Sequence, residues 1–228
     1  QLGKEMGATT TDVASAADSW LRMGYSVSDA NTLVKDSLML AKLGEIDTAS
    51  ASKDLVSAMK GYGLEISDMS DVVSKFTSVD KSAAVDAGYL AEALSETATS
   101  AKLAGINIDD MIGYIAAVGE TTQQSSEQVG NGFKSILARM GNIKSGNLID
   151  PEDASSLSDV ESTLSGIGIK LRDSKSEFRN FGDVLKEIAS NFSEYSSVEK
   201  RAIAVSLGGT RNQERTLVLL THMGDALK

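Results

Sequence analysis

A six-residue phrase occurs three times in the first half of the chain and limits what the chain can fold into. Each copy reads glycine, an apolar residue, any residue, Val or Ile, Ser or Asp, and then Asp. The copies begin at positions 24, 63 and 105, and are therefore 39 and 42 residues apart. Repetition at about 40 residues is typical of stacked helical hairpins. The copies are Gly24-Tyr-Ser-Val-Ser-Asp29, Gly63-Leu-Glu-Ile-Ser-Asp68 and Gly105-Ile-Asn-Ile-Asp-Asp110.

Each position of the phrase suits a short hinge between two helices. The glycine can take the left-handed conformation that ends a helix, and the apolar residue can fold back onto the last turn. The Val or Ile then serves as a hydrophobic staple, the Ser or Asp caps the next helix, and the final Asp favours its positive end. The residues predicted to end or cap helices are Gly24, Ser28, Gly63, Ser67, Gly105 and Asp109, with a further break at Gly208 and Gly209.

The rest of the chain has the composition and periodicity of helices. It contains one proline, and apolar residues recur at helical spacing almost throughout. We therefore predict an all-α fold, a multi-helix bundle of stacked helical hairpins. The helices are predicted near residues 10–23, 28–43, 47–61, 67–79, 83–104, 109–120, 125–141, 158–165, 183–192, 197–207 and 212–226.

Residues 142–157 contain Asn, Gly, Ser and the single proline, and this loop separates two predicted parts. We predict a helical-hairpin domain over 1–145, a linker over 146–157 and a smaller helical part over 158–228. The alternation that starts at Gly166-Ile-Gly-Ile-Lys-Leu171 predicts one small β-hairpin over residues 167–181. Charge also changes there: residues 1–169 carry 12 basic and 24 acidic side chains, and residues 170–215 carry 9 and 7.

The net charge of −10 argues against a nucleic-acid scaffold, because phosphate binding needs clustered Lys and Arg. The absence of cysteine excludes disulfides. The longest apolar run, Met111 to Gly119, is far shorter than the roughly 20 residues that cross a bilayer. The chain has neither an initiating Met nor a signal peptide, and we expect it to be a piece of a longer protein.

Few residues could carry chemistry. His222 is the only histidine, so the sequence offers neither a histidine pair for a metal nor an obvious Ser-His-Asp set. The segment Gly208-Gly-Thr-Arg211 could form an anion nest, but it lacks the ending of a phosphate-binding loop, and a turn between helices is the favoured interpretation.

The acidic clusters have simpler explanations than catalysis or metal binding. Asp150, Glu152 and Asp153 lack the spacing of a calcium loop and are typical of a solvated loop. Asp109 and Asp110 stand at a predicted helix start, where the helix dipole accounts for them. We predict no enzyme activity, no cofactor and no metal.

Two stretches of the chain carry a recognisable pattern. The first includes Leu90-Ala-Glu-Ala-Leu94, Ala101-Lys-Leu-Ala-Gly105 and Gly130 to Met140; the second includes Gly166-Ile-Gly-Ile169, Phe178-Arg-Asn-Phe181 and Gly208-Gly-Thr-Arg211. Their order and spacing resemble the helical region of phage tail tape measure proteins, which also occur in prophages. The resemblance covers about residues 50–222. The turn Gly119 to Gly130 is more polar than is usual in that family.

This resemblance implies a structural virion component that helps to set tail length and takes part in tail assembly and genome delivery. It implies a place in the lumen of the phage tail, and in the host cytoplasm during assembly. The implied partners are the tail tube protein, tail assembly chaperones and the distal tail or baseplate hub, with further copies of the chain in the virion. It implies that the chain binds no specific nucleic-acid sequence. It also implies that the parent protein contacts the membrane during ejection.

A bacterial helical adaptor, or a secreted membrane-active helical protein, is the alternative, because either could share this helical composition. The length of the parent protein separates the two interpretations, since a tape measure protein is very long. Helices that stop every 15 to 20 residues, each with one apolar stripe, also predict a folded module rather than a measuring stretch.

Overall fold

A computed structural model describes residue 3 and residues 7–144, 157–174 and 177–226. Ten α-helices make up most of this part of the chain, and the all-α prediction is confirmed. The helices are α1 Thr10–Arg22, α2 Val27–Leu43, α3 Thr48–Tyr62, α4 Met69–Asp80, α5 Ala87–Ala104, α6 Ile108–Thr122, α7 Ser126–Lys144, α8 Leu157–Gly166, α9 Phe181–Ser190 and α10 Ser197–Ala226.

Helix α5 lies at the centre of the molecule and packs against α2, α3, α4, α6 and α7. Its contacts with α3 and α7 are the most extensive, and both depend on small side chains. A Cβ placed on Gly61 of α3 would lie 2.5 Å from the Cβ of Ala98, and one placed on Gly130 of α7 would lie 3.0 Å from the Ala93 carbonyl oxygen. The three helices therefore approach almost to backbone contact, which suits a chain with few aromatic residues.

One tryptophan closes the N-terminal end of the bundle. Trp20 is fully buried, and its indole N–H donates to the hydroxyl of Ser37 on α2 at 2.9 Å. Its ring meets Tyr25 edge-on, with 5.4 Å between ring centroids. This pairing satisfies the buried indole and ties α1 to α2.

The predicted β-hairpin over residues 167–181 is not formed. Among the described residues of this segment there is one antiparallel bridge, between Arg172 and Phe178, and no strand. Phe181 begins α9 and is fully buried there, so only a short extended piece is left for pairing. The alternation seen in the sequence corresponds instead to Ile169 and Leu171, which are both buried against the core.

The predicted linker cannot be compared, because residues 145–156 lie outside the described part of the chain. Helix α7 continues to Lys144, past its predicted end at residue 141. Helix α10 packs against α6 and α7 as well as against α8 and α9. The C-terminal helices are therefore in direct contact with the N-terminal bundle.

Candidate functional site

All three copies of the repeated phrase form tight turns with their glycine in the left-handed region. The φ angles are 89° at Gly24, 68° at Gly63 and 78° at Gly105. In each turn the apolar residue after the glycine donates its N–H to the carbonyl five residues earlier, at 3.3, 2.9 and 2.9 Å. These bonds satisfy carbonyls at the end of the preceding helix and hold the chain reversal.

The helices after the first and third hinges begin earlier than predicted. Helix α2 starts at Val27 and α6 at Ile108, so the β-branched residue is already helical. The capping residue is the third of the phrase. The Ser26 hydroxyl accepts from the Asp29 N–H at 3.1 Å, and the Asn107 amide oxygen accepts from the Asp110 N–H at 2.8 Å.

The predicted caps therefore have other positions. Ser28 and Asp109 are the second residues of their helices, and Ser67 lies inside a 3-10 turn, Ile66–Asp68, that precedes α4. The last residue of the phrase, an Asp three residues after the capping position, also contributes to capping. In the second copy, the Asp68 carboxylate accepts from the Glu65 N–H at 2.9 Å, which is half of a capping box.

Three further turns have the same geometry but were not predicted. The φ angle is 67° at Gly7, 51° at Glu45 and 82° at Gly168. At each of them, the next residue donates its N–H to the carbonyl five residues earlier, at 2.8, 3.1 and 2.9 Å. Asp47 then caps α3 by accepting from the Ser50 N–H.

The third hinge differs from the first two because the C-terminal part docks on it. Asn180 caps α9 and donates its side-chain N–H to the Gly105 carbonyl at 3.3 Å. Lys186 of α9 pairs with Asp110 at 2.5 Å. We call these four residues, Gly105, Asp110, Asn180 and Lys186, the clasp. The clasp joins parts of the chain that are 75 residues apart.

The predicted break at Gly208 and Gly209 lies inside α10. Gly209 has φ 71° and ψ 172°, whereas the residues on both sides are helical, so the helix is kinked there. Gly208 is closely packed, because a Cβ at this position would lie 2.2 Å from the Thr216 hydroxyl oxygen. The segment is a break between two helical halves.

Comparison with known protein families shows the family to which the chain belongs. The phage-related minor tail protein family matches residues 1–209, which covers every helix up to the break at Gly209. The chain belongs to this family. It is therefore a structural component of a phage tail and is associated with the virion. No solved structure matches it.

The polar groups of this minor tail protein that could do chemistry are mostly occupied. The His222 ring nitrogen lies 2.8 Å from the Thr121 hydroxyl. Asp109 pairs with Lys75 at 2.6 Å, so it and Asp110 face two different lysines rather than a shared substrate site. The cluster at 150–153 lies outside the described residues. Within the described ranges, no three His, Cys, Asp or Glu side chains could together hold a metal ion.

The most perturbed carboxyl group in this part of the protein is Asp54. It is 6% exposed and lines a cavity of about 220 Å³ between α3 and α5, together with Glu92 and Glu96. Burial raises the pKa of Asp54 from 3.8 to about 6, and the Ser95 hydroxyl partly offsets this effect. The nearby carboxylates of Glu92 and Glu96 act in the same direction as burial, because their negative charge disfavours the ionised form of Asp54.

Two buried tyrosines lie near the clasp residue Asp110. Burial and the Asp110 carboxylate raise the pKa values of Tyr62 and Tyr114, and neither hydroxyl oxygen has a hydrogen-bond partner among the described residues. Both tyrosine side chains are buried.

None of the described helices combines the length and the hydropathy of a membrane-spanning segment.

Proposed function

We propose that the chain is a folded module of a phage tail tape measure protein, carried by the tape rather than serving as the stretch that measures tail length. Membership in the minor tail family supports the phage tail setting. The resemblance of residues 50–222 to tape measure proteins supports the finer assignment.

The observation that carries the proposal is the short reach of each helix. A ruler needs a segment of fixed rise along the tail. In the described part of the chain, the longest unbroken helix, Ser126–Lys144, spans 19 residues, or about 29 Å. The 228 residues as one straight helix would span about 340 Å. Hinges end the helices, and the clasp holds residues that are 75 positions apart in contact.

The same proposal includes where the module acts and what it meets. We place it in the tail lumen, and in the host cytoplasm during assembly, with the tube protein, assembly chaperones and distal hub as partners. Several copies of the parent protein share one tail, and the parent contacts the membrane during ejection. The module has no enzymatic role and binds no specific nucleic-acid sequence.

An in-frame deletion of this segment in the parent phage tests the proposal. Electron microscopy then measures tail length, and plaque counts measure infectivity. A folded module predicts tails that fail to assemble, or tails of normal length that do not deliver DNA. Infectious tails that are shortened by about 340 Å would refute the proposal, because the segment would then lie stretched along the lumen.

A second experiment separates the loss of sequence from the loss of the fold. Lys186→Glu places two carboxylates at the clasp, and Asp110→Lys in the same chain restores an ion pair of reversed polarity. If the folded module matters, the single variant lowers infectivity and the double variant recovers it. Equal infectivity of all three phages would remove the clasp from the proposal.

The absence of enzyme activity is tested on the purified chain. Peptidoglycan, a phosphodiester and a casein substrate are incubated with it, with and without divalent metal ions. We expect no turnover above a heat-denatured control. Turnover that a single carboxylate substitution abolishes would overturn this part of the proposal.

A further inference from the structure

A polar groove of about 400 Å³ separates the first half of α7 from the second half of α10. Its walls carry amide, hydroxyl and guanidinium groups, which are mainly hydrogen-bond donors in this setting. Glu127 is the only carboxylate among its described lining residues. The donor groups belong to Gln128 and Asn131 of α7 and to Arg211, Asn212 and Arg215 of α10, whereas the Ser135 hydroxyl in the same wall donates to the Asn131 backbone carbonyl.

Neutral partners hold the guanidinium of Arg215. Its Nε–H donates to the side-chain oxygen of Gln124 at 2.7 Å, and one terminal nitrogen donates to the side-chain oxygen of Asn212 at 2.9 Å. In the described part of the chain, no carboxylate lies within ion-pair distance of Arg215. A guanidinium has five N–H donors, so these two bonds leave three donors for another acceptor.

The position of Arg215 is fixed by packing. Its aliphatic stem lies against Gly132 of α7, where a Cβ would come within 2.6 Å of the arginine Cδ. The Gln124 backbone is held in turn, because its carbonyl accepts from the Tyr89 hydroxyl at 2.8 Å. Asn212, the other partner, is 7% exposed. The arginine is therefore oriented before any ligand arrives, which lowers the entropic cost of binding.

We propose that this groove is a docking site for an acidic side chain of a partner protein, with the Arg215 guanidinium donating to its carboxylate. The remaining terminal N–H groups match the two oxygens of a carboxylate, and such charge-assisted bonds are stronger than neutral ones. The Arg215 guanidinium is partly buried, and a buried charge is costly unless an opposite charge lies beside it. Its two amide partners do not supply that charge. This site does not depend on the tape measure role.

The charge of the whole chain favours a protein carboxylate over a nucleic acid or a lipid surface. A polyanion would meet a molecule of net charge −10, and Glu127 stands at the groove itself. A single acidic side chain avoids most of that repulsion. The unusually polar segment from Gly119 to Gly130 also has a role here, because Gln124 in its turn binds Arg215 and Gln128 at the start of α7 lines the groove.

Nuclear magnetic resonance on the ¹⁵N-labelled chain tests the proposal. The probes are a blocked peptide with one glutamate among glycines, the same peptide with glutamine in its place, inorganic phosphate and a short DNA duplex. The proposal predicts that the glutamate peptide shifts the Arg215 Nε–H signal and the side-chain amides of Gln128 and Asn131, and that the glutamine peptide does not.

Three variants make the result specific. Arg215→Gln should weaken binding of the glutamate peptide about tenfold or more. Arg201→Gln removes an exposed arginine outside the groove and should leave the affinity within about twofold, because surface charges contribute little. Ser135→Glu places a carboxylate in the groove and should block the peptide while leaving the packing of Arg215 intact.

The proposal is overturned if the glutamate peptide shifts no groove signal, or if both arginine variants weaken binding equally, since bulk charge would then explain the binding. It is also overturned if phosphate or the duplex binds the groove more tightly than the peptide, because the site would then be a phosphate site. Unimpaired binding to the Ser135→Glu variant would place the peptide elsewhere on the surface.

Discussion

Replacing Gly105 by alanine should destabilise the fold more than the same change at any isolated left-handed glycine. Gly105 combines a φ of 78° with contact to a second part of the chain. An ideal Cβ there would lie 1.9 Å from the Asn180 side-chain nitrogen and 2.7 Å from its Cγ. Asn180 would have to swing away, and it would lose its bonds to both Gly105 and the start of α9.

The expected cost is the sum of three effects of similar size. Alanine in the left-handed region costs about 1 kcal/mol. The loss of the Asn180 cap on α9 costs about 1 kcal/mol, and the loss of its hydrogen bond to Gly105 about 1 kcal/mol. The free energy of unfolding should therefore fall by about 3 kcal/mol for Gly105→Ala.

Gly63→Ala is the matched control. Gly63 has a φ of 68°, but no atom lies within 4 Å of a Cβ placed on it. That variant should lose only the strain energy, about 1 kcal/mol. In an Asn180→Ala background, Gly105→Ala should also cost about 1 kcal/mol, because the contacts it would break are already gone.

Urea unfolding, followed by far-ultraviolet circular dichroism, measures the free energy of unfolding of the wild-type protein and the four variants, with the slope of each transition compared. Equal losses for Gly105→Ala and Gly63→Ala would refute the reasoning, since the clasp would then contribute nothing. Additive losses in the double variant would also refute it, because Gly105 and Asn180 would then act independently.

Further predictions concern burial and capping. Asp54→Asn should raise the free energy of unfolding at pH 7 by about 3 kcal/mol, because the folded state raises the Asp54 pKa from 3.8 to about 6. The advantage should shrink as the pH falls through the folded-state pKa, and urea titrations at pH 7 and at pH 4 measure it. Asn107→Ala should cost about 1 kcal/mol through the lost cap. Asp109→Ala should cost less than about 0.5 kcal/mol, because its ion pair is largely exposed. If thermal melts show a larger loss for Asp109→Ala than for Asn107→Ala, Asp109 is the cap after all. Trp20→Ala should cost at least about 3 kcal/mol in the same melts, because the side chain is fully buried.

The sequence was sufficient to find the hinges that contain glycine in the repeated phrase. A glycine after an amphipathic helix, followed by an apolar residue, has few other structural uses, and Gly63 and Gly105 end α3 and α5 in the left-handed region. The turn at Glu45 could not be found in this way. Its strain is tolerated because Ile46 packs against the core on one side and Asp47 caps α3 on the other.

The register of the caps was harder to predict for a physical reason. Each phrase offers three polar residues, one before and two after the Val or Ile, and several of them can accept a hydrogen bond from the next turn. Whether Ser26 or Ser28 caps α2 depends on how tightly the hinge closes, which only packing decides. The spacing of three residues between Ser26 and Asp29 is a signal that could have identified the cap.

The clasp and the groove could not be predicted from the sequence at all. Arg215 and Gln124 are 91 residues apart, and neither belongs to a motif. The interpretation of Asp110 as a helix-dipole residue was also incomplete, because nothing near it in the sequence points to Lys186. Such pairs arise only when two helices that are distant in sequence are packed side by side.

The clasp also imposes an order on events at the ribosome. Asn180 is synthesised 75 residues after Gly105. At a translation rate of about 5–20 residues per second, the hinge leaves the ribosome roughly 4–15 s before its partner does. During that interval the Gly105 carbonyl and the Asp110 carboxylate face solvent on an otherwise complete pair of helices. A chaperone that must hold the nascent chain at this hinge has those seconds in which to bind, before α9 covers the site.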